Sequence, residues 1–236
     1  MLNIFDINTV AFTVMDYPMS YLEFIGTIFN LWCVWLTAKG KISSWPIGIV
    51  GVIFYIFLFY QINLYSDLFE QFYFLITSFY GWYLWLNLKG KKERNEGELK
   101  ITKNTLKSKI TYITITLLGT LLLTYFMKNV HLYFPTIFTE PASYPFIDAF
   151  TTVLSFVATI LLAKKKVDSW ILWILVDIIG IWLYYVKGVK FISLEYLIFL
   201  GLATNGLFKW KKELKSYEKA NKNNKGVSTR KIRPST

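Results

Sequence analysis

The segment Ala38-Lys39-Gly40-Lys41-Ile42-Ser43-Ser44-Trp45 returns later in the chain as Ala163-Lys164-Lys165-Lys166-Val167-Asp168-Ser169-Trp170, and this recurrence decides how the chain is built. Both copies are short basic stretches between apolar runs. With the same ungapped shift of 125 residues, Thr27 meets Thr152, Leu36 meets Leu161, Tyr60 meets Tyr185, Glu70 meets Glu195, Gly81 meets Gly206 and Trp85 meets Trp210. Apolar positions coincide by chance in any two hydrophobic segments. Trp, Lys, Glu and Gly holding one register through three successive runs do not, so the chain contains an internal duplication.

Working outward, the apolar runs fall at residues 19–38, 45–61, 64–88, 110–127, 146–163, 170–186 and 191–210. They have the length that bilayer-spanning helices need. With 54% hydrophobic and 19% aromatic residues in 236, the chain carries more apolar surface than one soluble core of this length can hide. The expected fold is therefore an all-α integral membrane protein of seven transmembrane helices, and a soluble fold is excluded. The three-helix units 19–88 and 146–210 form the repeats, joined by the basic loop 89–109 and the linker helix 110–127.

The net charge of +11 does not indicate nucleic-acid binding, because the basic residues lie in loops and a tail rather than on one amphipathic face. Placing the N-terminus outside leaves only Lys128, Lys187 and Lys190 of the 26 lysines and arginines on the outer side. The positive-inside rule then puts the C-terminus in the cytoplasm. Four crossings separate span one from span five, so the two units run parallel. A pseudo-two-fold axis along the membrane normal would relate them, with a ligand site at their interface. Residues 1–18 lack a basic n-region and a small-residue cleavage site, which reads as a short polar extracytoplasmic leader rather than a signal peptide. Residues 211–236, basic and Asn-rich, are expected to be a disordered cytoplasmic tail.

One cysteine, Cys33, and one histidine, His131, cannot build a disulfide, a Cys/His zinc site or an iron–sulfur cluster. No metal or cofactor is expected. The carboxylates have no His or Cys at useful spacing, against a membrane-embedded enzyme, and the loops are too short for a scaffold's soluble module. The polar chemistry is concentrated in span six, where Trp170, Trp173, Asp177 and Tyr184 share one helical face. Asp177 lies ~10 Å into the membrane, where an ionised group costs several kcal/mol without a partner. Indoles beside one anionic acceptor suit a flat, cationic heteroaromatic ligand. The alternative is an interfacial Trp170 and an Asp177 bonded to a neighbouring helix. The first repeat offers Trp45, Gly48, Val52 and Phe59 at the matching positions, so the site would be asymmetric.

Gln71, Asn205 and Asn30 are further intramembrane hydrogen-bonding residues, either interhelical ties or ligand contacts. Glu23, Glu70, Asp148 and Glu195 lie near the outer ends of their spans as two repeat-related pairs. They either pair with neighbours such as Lys187 or together make the outer mouth attractive to cations. Pro46, Gly48, Gly51 and Gly180 are candidate bends, and Pro46 also fits a helix start.

The second half carries Trp170, Trp173 and Asp177 in a W-x-x-W-x-x-x-N pattern, then Tyr184-Tyr185-Val186-Lys187-Gly188, Ser193-Leu194-Glu195-Tyr196 and Asn205-Gly206. The first half carries Gln61-Ile62-Asn63-Leu64-Tyr65, Gln71 and Tyr80-Gly81-Trp82-Tyr83 with Trp85. From about residue 21 to 210 the chain resembles the bacterial PnuC-type nicotinamide riboside transporter family, part of the Pnu vitamin transporters. The resemblance implies a three-plus-one-plus-three helix arrangement similar to SWEET-type sugar transporters, assembled as homotrimers in the inner membrane. It implies no enzymatic activity but import of nicotinamide riboside, an NAD precursor, by facilitated diffusion, with a cytoplasmic kinase trapping it as phosphate. Substrate contacts would come from Trp170 and Trp173, with Asp177 in place of the family's asparagine, and from Gln71 and Asn205; the shared helical face adds Tyr184 and the repeat adds Trp45. An aspartate suits a cationic pyridinium and equally the aminopyrimidine of thiamine, so thiamine, and after it riboflavin, is the alternative cargo. The expected partners are thus a small cationic vitamin or nucleoside, lipid and copies of the same chain.

Overall fold

A computed structural model describes residues 3–14, 17–62, 65–92, 100–136, 144–188 and 190–230. Two strands, β1 (Val10–Val14) and β2 (Tyr17–Ser20), pair antiparallel. Among the described residues, seven helices follow: α1 (Tyr21–Ala38), α2 (Ser44–Gln61), α3 (Tyr65–Lys92), α4 (Leu106–Tyr133), α5 (Pro145–Ala163), α6 (Asp168–Val186) and α7 (Lys190–Arg230). The strand pair falls in the N-terminal segment preceding the first span, and its β-branched and aromatic residues favour strand. Ser20 ends β2 and caps α1, its Oγ accepting from the Glu23 N–H at 3.1 Å in the Ser-x-x-Glu pattern that starts helices.

Among the described residues, six helices are long and apolar enough to cross a membrane. The seventh, α3, has 28 residues but carries Asp67 and Glu70 among its tyrosines and tryptophans. The outward faces are oily: Leu122 of α4 is 73% exposed, and Leu118 and Leu121 are each 62% exposed. Such rows suit contact with lipid rather than water. The sequence ends span seven at Trp210, whereas α7 continues to Arg230. The expected disordered tail thus begins as helix, because Lys, Glu and Leu from Lys211 onward are good helix formers and Leu214 and Tyr217 still pack on the core.

α1 packs on α2, α2 on α3, α3 on α5, α5 on α6, α6 on α7 and α7 back on α1, closing a six-helix ring. α4 stands outside it against α5, with Thr116, Thr120 and Thr124 as its buried stripe. At one end of the ring the same arrangement occurs twice. Trp45 lies against Gly81 and edge-on to Trp85, ring centroids 5.3 Å apart at 89°. Trp170 lies against Gly206 and edge-on to Trp210, 5.5 Å apart at 89°. A Cβ on either glycine would collide with the indole, which is why the helices can approach so closely there. Gly48, Gly51 and Gly180 likewise mark close approaches, to Cys33, Asn30 and Tyr196, within unbroken helices rather than bends.

The turns behind these tryptophans also match. Lys41 N–H donates to Leu36 O at 3.0 Å and Lys166 N–H to Leu161 O at 2.9 Å. Each turn passes through the left-handed region, at Gly40 (φ 67°) and at Lys165 (φ 48°). For Lys165 this conformation costs about 1–2 kcal/mol, offset in part by its Nζ lying 4.3 Å above the Trp85 ring. Among the described residues, only the α5–α6 turn is strapped by the chain leading into α4. Thr102 N–H donates to Lys165 O and Val167 N–H to Thr102 O, at 3.1 and 2.9 Å. Asn104 N–H and Lys109 Nζ reach the Asp168 carboxylate at 2.8 and 3.1 Å. Ile101 is buried in one cluster with Trp85, Trp170 and Trp210.

Candidate functional site

The ring encloses a cavity of about 210 Å³ lined from all six of its helices and not from α4. The lining comprises Asn30, Cys33, Val34 and Thr37 of α1; Trp45, Gly48, Val52, Tyr55 and Phe59 of α2; and Gln71, Phe74 and Ser78 of α3. The other half contributes Thr159 and Leu162 of α5, Trp170, Trp173 and Asp177 of α6, and Tyr196, Phe199 and Ala203 of α7. The tryptophan cluster packs at the lysine-rich end. A second apolar cluster, with Leu22, Phe54, Leu58, Tyr184 and Ile192, packs at the other, and Ile4 and Ile7 lie against it. Ile7 is held there by its N–H bond to Gln61 Oε1 at 2.9 Å.

Trp170 is 1% exposed, so it is not an interfacial belt residue. Asp177 is 2% exposed, and among the described residues its Oδ2 has no hydrogen-bond partner. The same holds for the indole Nε1 atoms of Trp45, Trp170 and Trp173. Among the described residues that line the cavity, a carboxylate oxygen and three buried N–H donors therefore have unspent bonding capacity, a pattern that native interiors avoid unless something fills it. Trp173 tilts against Phe74, 6.1 Å between centroids, leaving an aromatic wall beside the acid.

Of the residues expected at the site, the fold brings Trp45, Gln71, Trp170, Trp173 and Asp177 together. Tyr184 sits beyond the lining, its hydroxyl donating to Asp67 Oδ1 at 2.6 Å. Asn205 is misplaced in the sequence reading: it lies on the exposed side of α7. The inward positions of that helix are Tyr196, Phe199 and Ala203, and Asn205, two residues past Ala203, is turned about 200° away.

Three of the four carboxylates expected at the outer mouth are engaged: Glu23 accepts from Tyr17 Oη at 2.8 Å, Asp148 pairs with Lys187 at 2.7 Å and Glu195 accepts from Tyr55 Oη at 2.6 Å. Glu70 lies near Ser155, whose hydroxyl donates to Thr151 O at 2.8 Å. Burial, together with the Glu23 carboxylate, pushes the Tyr17 phenol well above its usual range, so it remains the donor of that pair.

Sequence reasoning missed Tyr55, Phe74, Tyr196 and Phe199. The repeat held the signal for most of them. Under the shift of 125, Gln71 pairs with Tyr196, Phe74 with Phe199, Gly48 with Trp173 and Val52 with Asp177, all lining residues.

A helix ring that crosses the membrane and closes around a small, partly polar cavity defines the class as a multi-pass transporter of small molecules. The chain belongs to the family described as Nicotinamide mononucleotide transporter, whose sequence profile matches residues 20–212. It is similar to the nicotinamide riboside transporter PnuC of Escherichia coli (strain K12), 32% identical over 209 residues that cover 82% of this chain and 86% of that one. The riboflavin/roseoflavin transporter RibM of Streptomyces davaonensis is 24% identical over 204 residues, 86% and 91% of the two chains. A crystal structure of the vitamin B3 transporter PnuC shares the fold with a TM-score of 0.64 at 24% identity, covering 83% of each chain.

Proposed function

We propose that the protein imports nicotinamide riboside across the bacterial inner membrane by facilitated diffusion, with phosphorylation by a cytoplasmic kinase retaining the cargo. The observation that carries this reading is the unpartnered Asp177 Oδ2 beside Trp170 and Trp173. A buried, unpaired carboxylate costs several kcal/mol, and a pyridinium cation in contact offsets that cost. Indole faces stack on the same ring, while the free indole N–H groups can donate to a carboxamide or to ribose hydroxyls. The relatives named nicotinamide riboside transporter point the same way. Thiamine is the second reading, favoured by an aspartate where the family has asparagine. Riboflavin, neutral and with three fused rings, gives Asp177 no cation to meet.

In this reading the N-terminus is outside and the C-terminus cytoplasmic, as the lysine distribution favours. The units 19–88 and 146–210 are parallel repeats around the cavity, with α4 as the linker. What supports the repeats is that exchanging them carries the α1–α7 packing onto α5–α3 and the Trp45–Trp85 pair onto Trp170–Trp210. Homotrimeric assembly rests on the family resemblance. Counterflow in proteoliposomes tests the cargo: labelled nicotinamide riboside should accumulate transiently against internal nicotinamide riboside and not against internal riboflavin. Exchange driven better by thiamine would overturn the assignment in favour of the second reading.

A further inference from the structure

The ring order makes α2 and α7 non-neighbours, since both pack on α1, and separates α3 from α6 by α5. Two hydrogen bonds nevertheless span these gaps. Tyr55 Oη of α2 donates to the Glu195 carboxylate of α7 at 2.6 Å, with Thr27 Oγ1 of α1 joining it at 3.0 Å. Tyr184 Oη of α6 donates to Asp67 Oδ1 of α3 at 2.6 Å. Both are chords across the inside of the ring, on the side of the cavity away from the tryptophan cluster.

The chords are exchanged by the repeat although their residues are not. Each runs from the middle helix of one unit to the last helix of the other. Yet under the shift of 125 residues Tyr55 falls on Gly180 and Asp67 on Ile192. The second chord is the same kind of bond rebuilt about one turn along its helices. A bond merely copied by duplication would keep its residues, so the common feature is the bond across the ring. Both tyrosines also belong to the apolar cluster that caps the cavity there, and Glu195 is 3% exposed. Parting the first pair leaves the buried Glu195 carboxylate without its phenol donor, and parting the second removes the Tyr184 donor from the half-buried Asp67, so both bonds resist opening of the cap.

We propose that Tyr55–Glu195 and Tyr184–Asp67 are the two bolts of a gate closing the cavity at its β1–β2 end, the outer end in the proposed orientation. The proposal rests on the transport reading but not on the identity of the cargo. Cys33, the single cysteine of the chain, lines the cavity and reports on the gate. Full-length protein in right-side-out and inside-out vesicles is treated with a membrane-impermeant cationic methanethiosulfonate. Tyr55→Phe and Tyr184→Phe should each speed Cys33 modification from the outer face by about tenfold, the order expected when a hydrogen bond to a charged group is lost. The double variant should be faster still, and the rate from the inner face should not rise. Glu195→Gln and Asp67→Asn, which keep the shape and an acceptor, should shift the rate the same way by less. Since Tyr184 lies outside the lining, its variant tests the gate even if Tyr55→Phe disturbs packing. Unchanged rates in every variant, or equal acceleration from both faces, would overturn the proposal. Labelling needs no substrate, so that result would leave the nicotinamide riboside assignment standing, and a failed counterflow would leave the gate standing.

Discussion

Trp85 donates its Nε1 hydrogen to the carbonyl oxygen of Ala163 at 2.9 Å, tying α3 to the last turn of α5. The repeat-related Trp210 has no hydrogen-bond partner for its Nε1 among the described residues. One seam between the halves is therefore bolted and the other only packed. Trp85→Phe should lower stability by about 1–3 kcal/mol more than Trp210→Phe, because it also leaves a buried carbonyl bare. Thermal unfolding of the two variants in detergent measures the difference, and equal midpoints would remove the tie from the account.

Trp173→Ala should weaken nicotinamide riboside binding by about 1–3 kcal/mol, the usual worth of a base stacked on an aromatic side chain. Trp173→Phe should recover part of the loss. Calorimetric titration of purified protein distinguishes this from general damage, which Phe would not repair.

Asp177→Asn should keep the fold and riboside exchange, since an amide oxygen still accepts and a buried unpaired charge is removed. Asp177→Leu should abolish exchange. No second unpartnered carboxylate lines the cavity among the described residues, so transport should be uncoupled. With the membrane potential clamped, an imposed pH or sodium gradient should not concentrate unmodified substrate. Accumulation that disappears in Asp177→Asn would falsify passive import and make Asp177 a coupling site.

Lys103 is exposed on the strap beside Glu218, 3.2 Å away. In a Cys33→Ala background, Lys103→Cys should resist impermeant thiol reagents in intact cells and react after permeabilisation. Ready labelling in intact cells would reverse the proposed orientation.

The tryptophans and glycines that carried the repeat in the sequence are the residues that touch in the structure, Trp45 with Gly81 and Trp170 with Gly206. Bulky and absent side chains that must fit together leave paired marks in a sequence. Asp177 was legible for a different reason, as a carboxylate deep in an apolar run. The Tyr55–Glu195 chord was not: its partners lie 140 positions apart, and although Glu195 matches Glu70 under the repeat, Tyr55 falls on Gly180. Asn205 misled because a motif counts residues while a helix sorts them by angle. The strap at Thr102 was hidden because it is made by backbone atoms, which every residue supplies.

Asp177 belongs to α6 and stays with the protein, so a singly charged cation that crosses carries its own charge through the membrane alone. Such a carrier is an electrical device as well as a chemical one. An inside-negative voltage of 100 mV is worth about 2.3 kcal/mol per elementary charge, which corresponds to roughly fiftyfold accumulation at equilibrium. A protein with no ion coupling can thus hold its cargo well above the external concentration for as long as the cell keeps its membrane polarised, and depolarisation alone would let that cargo drain back out.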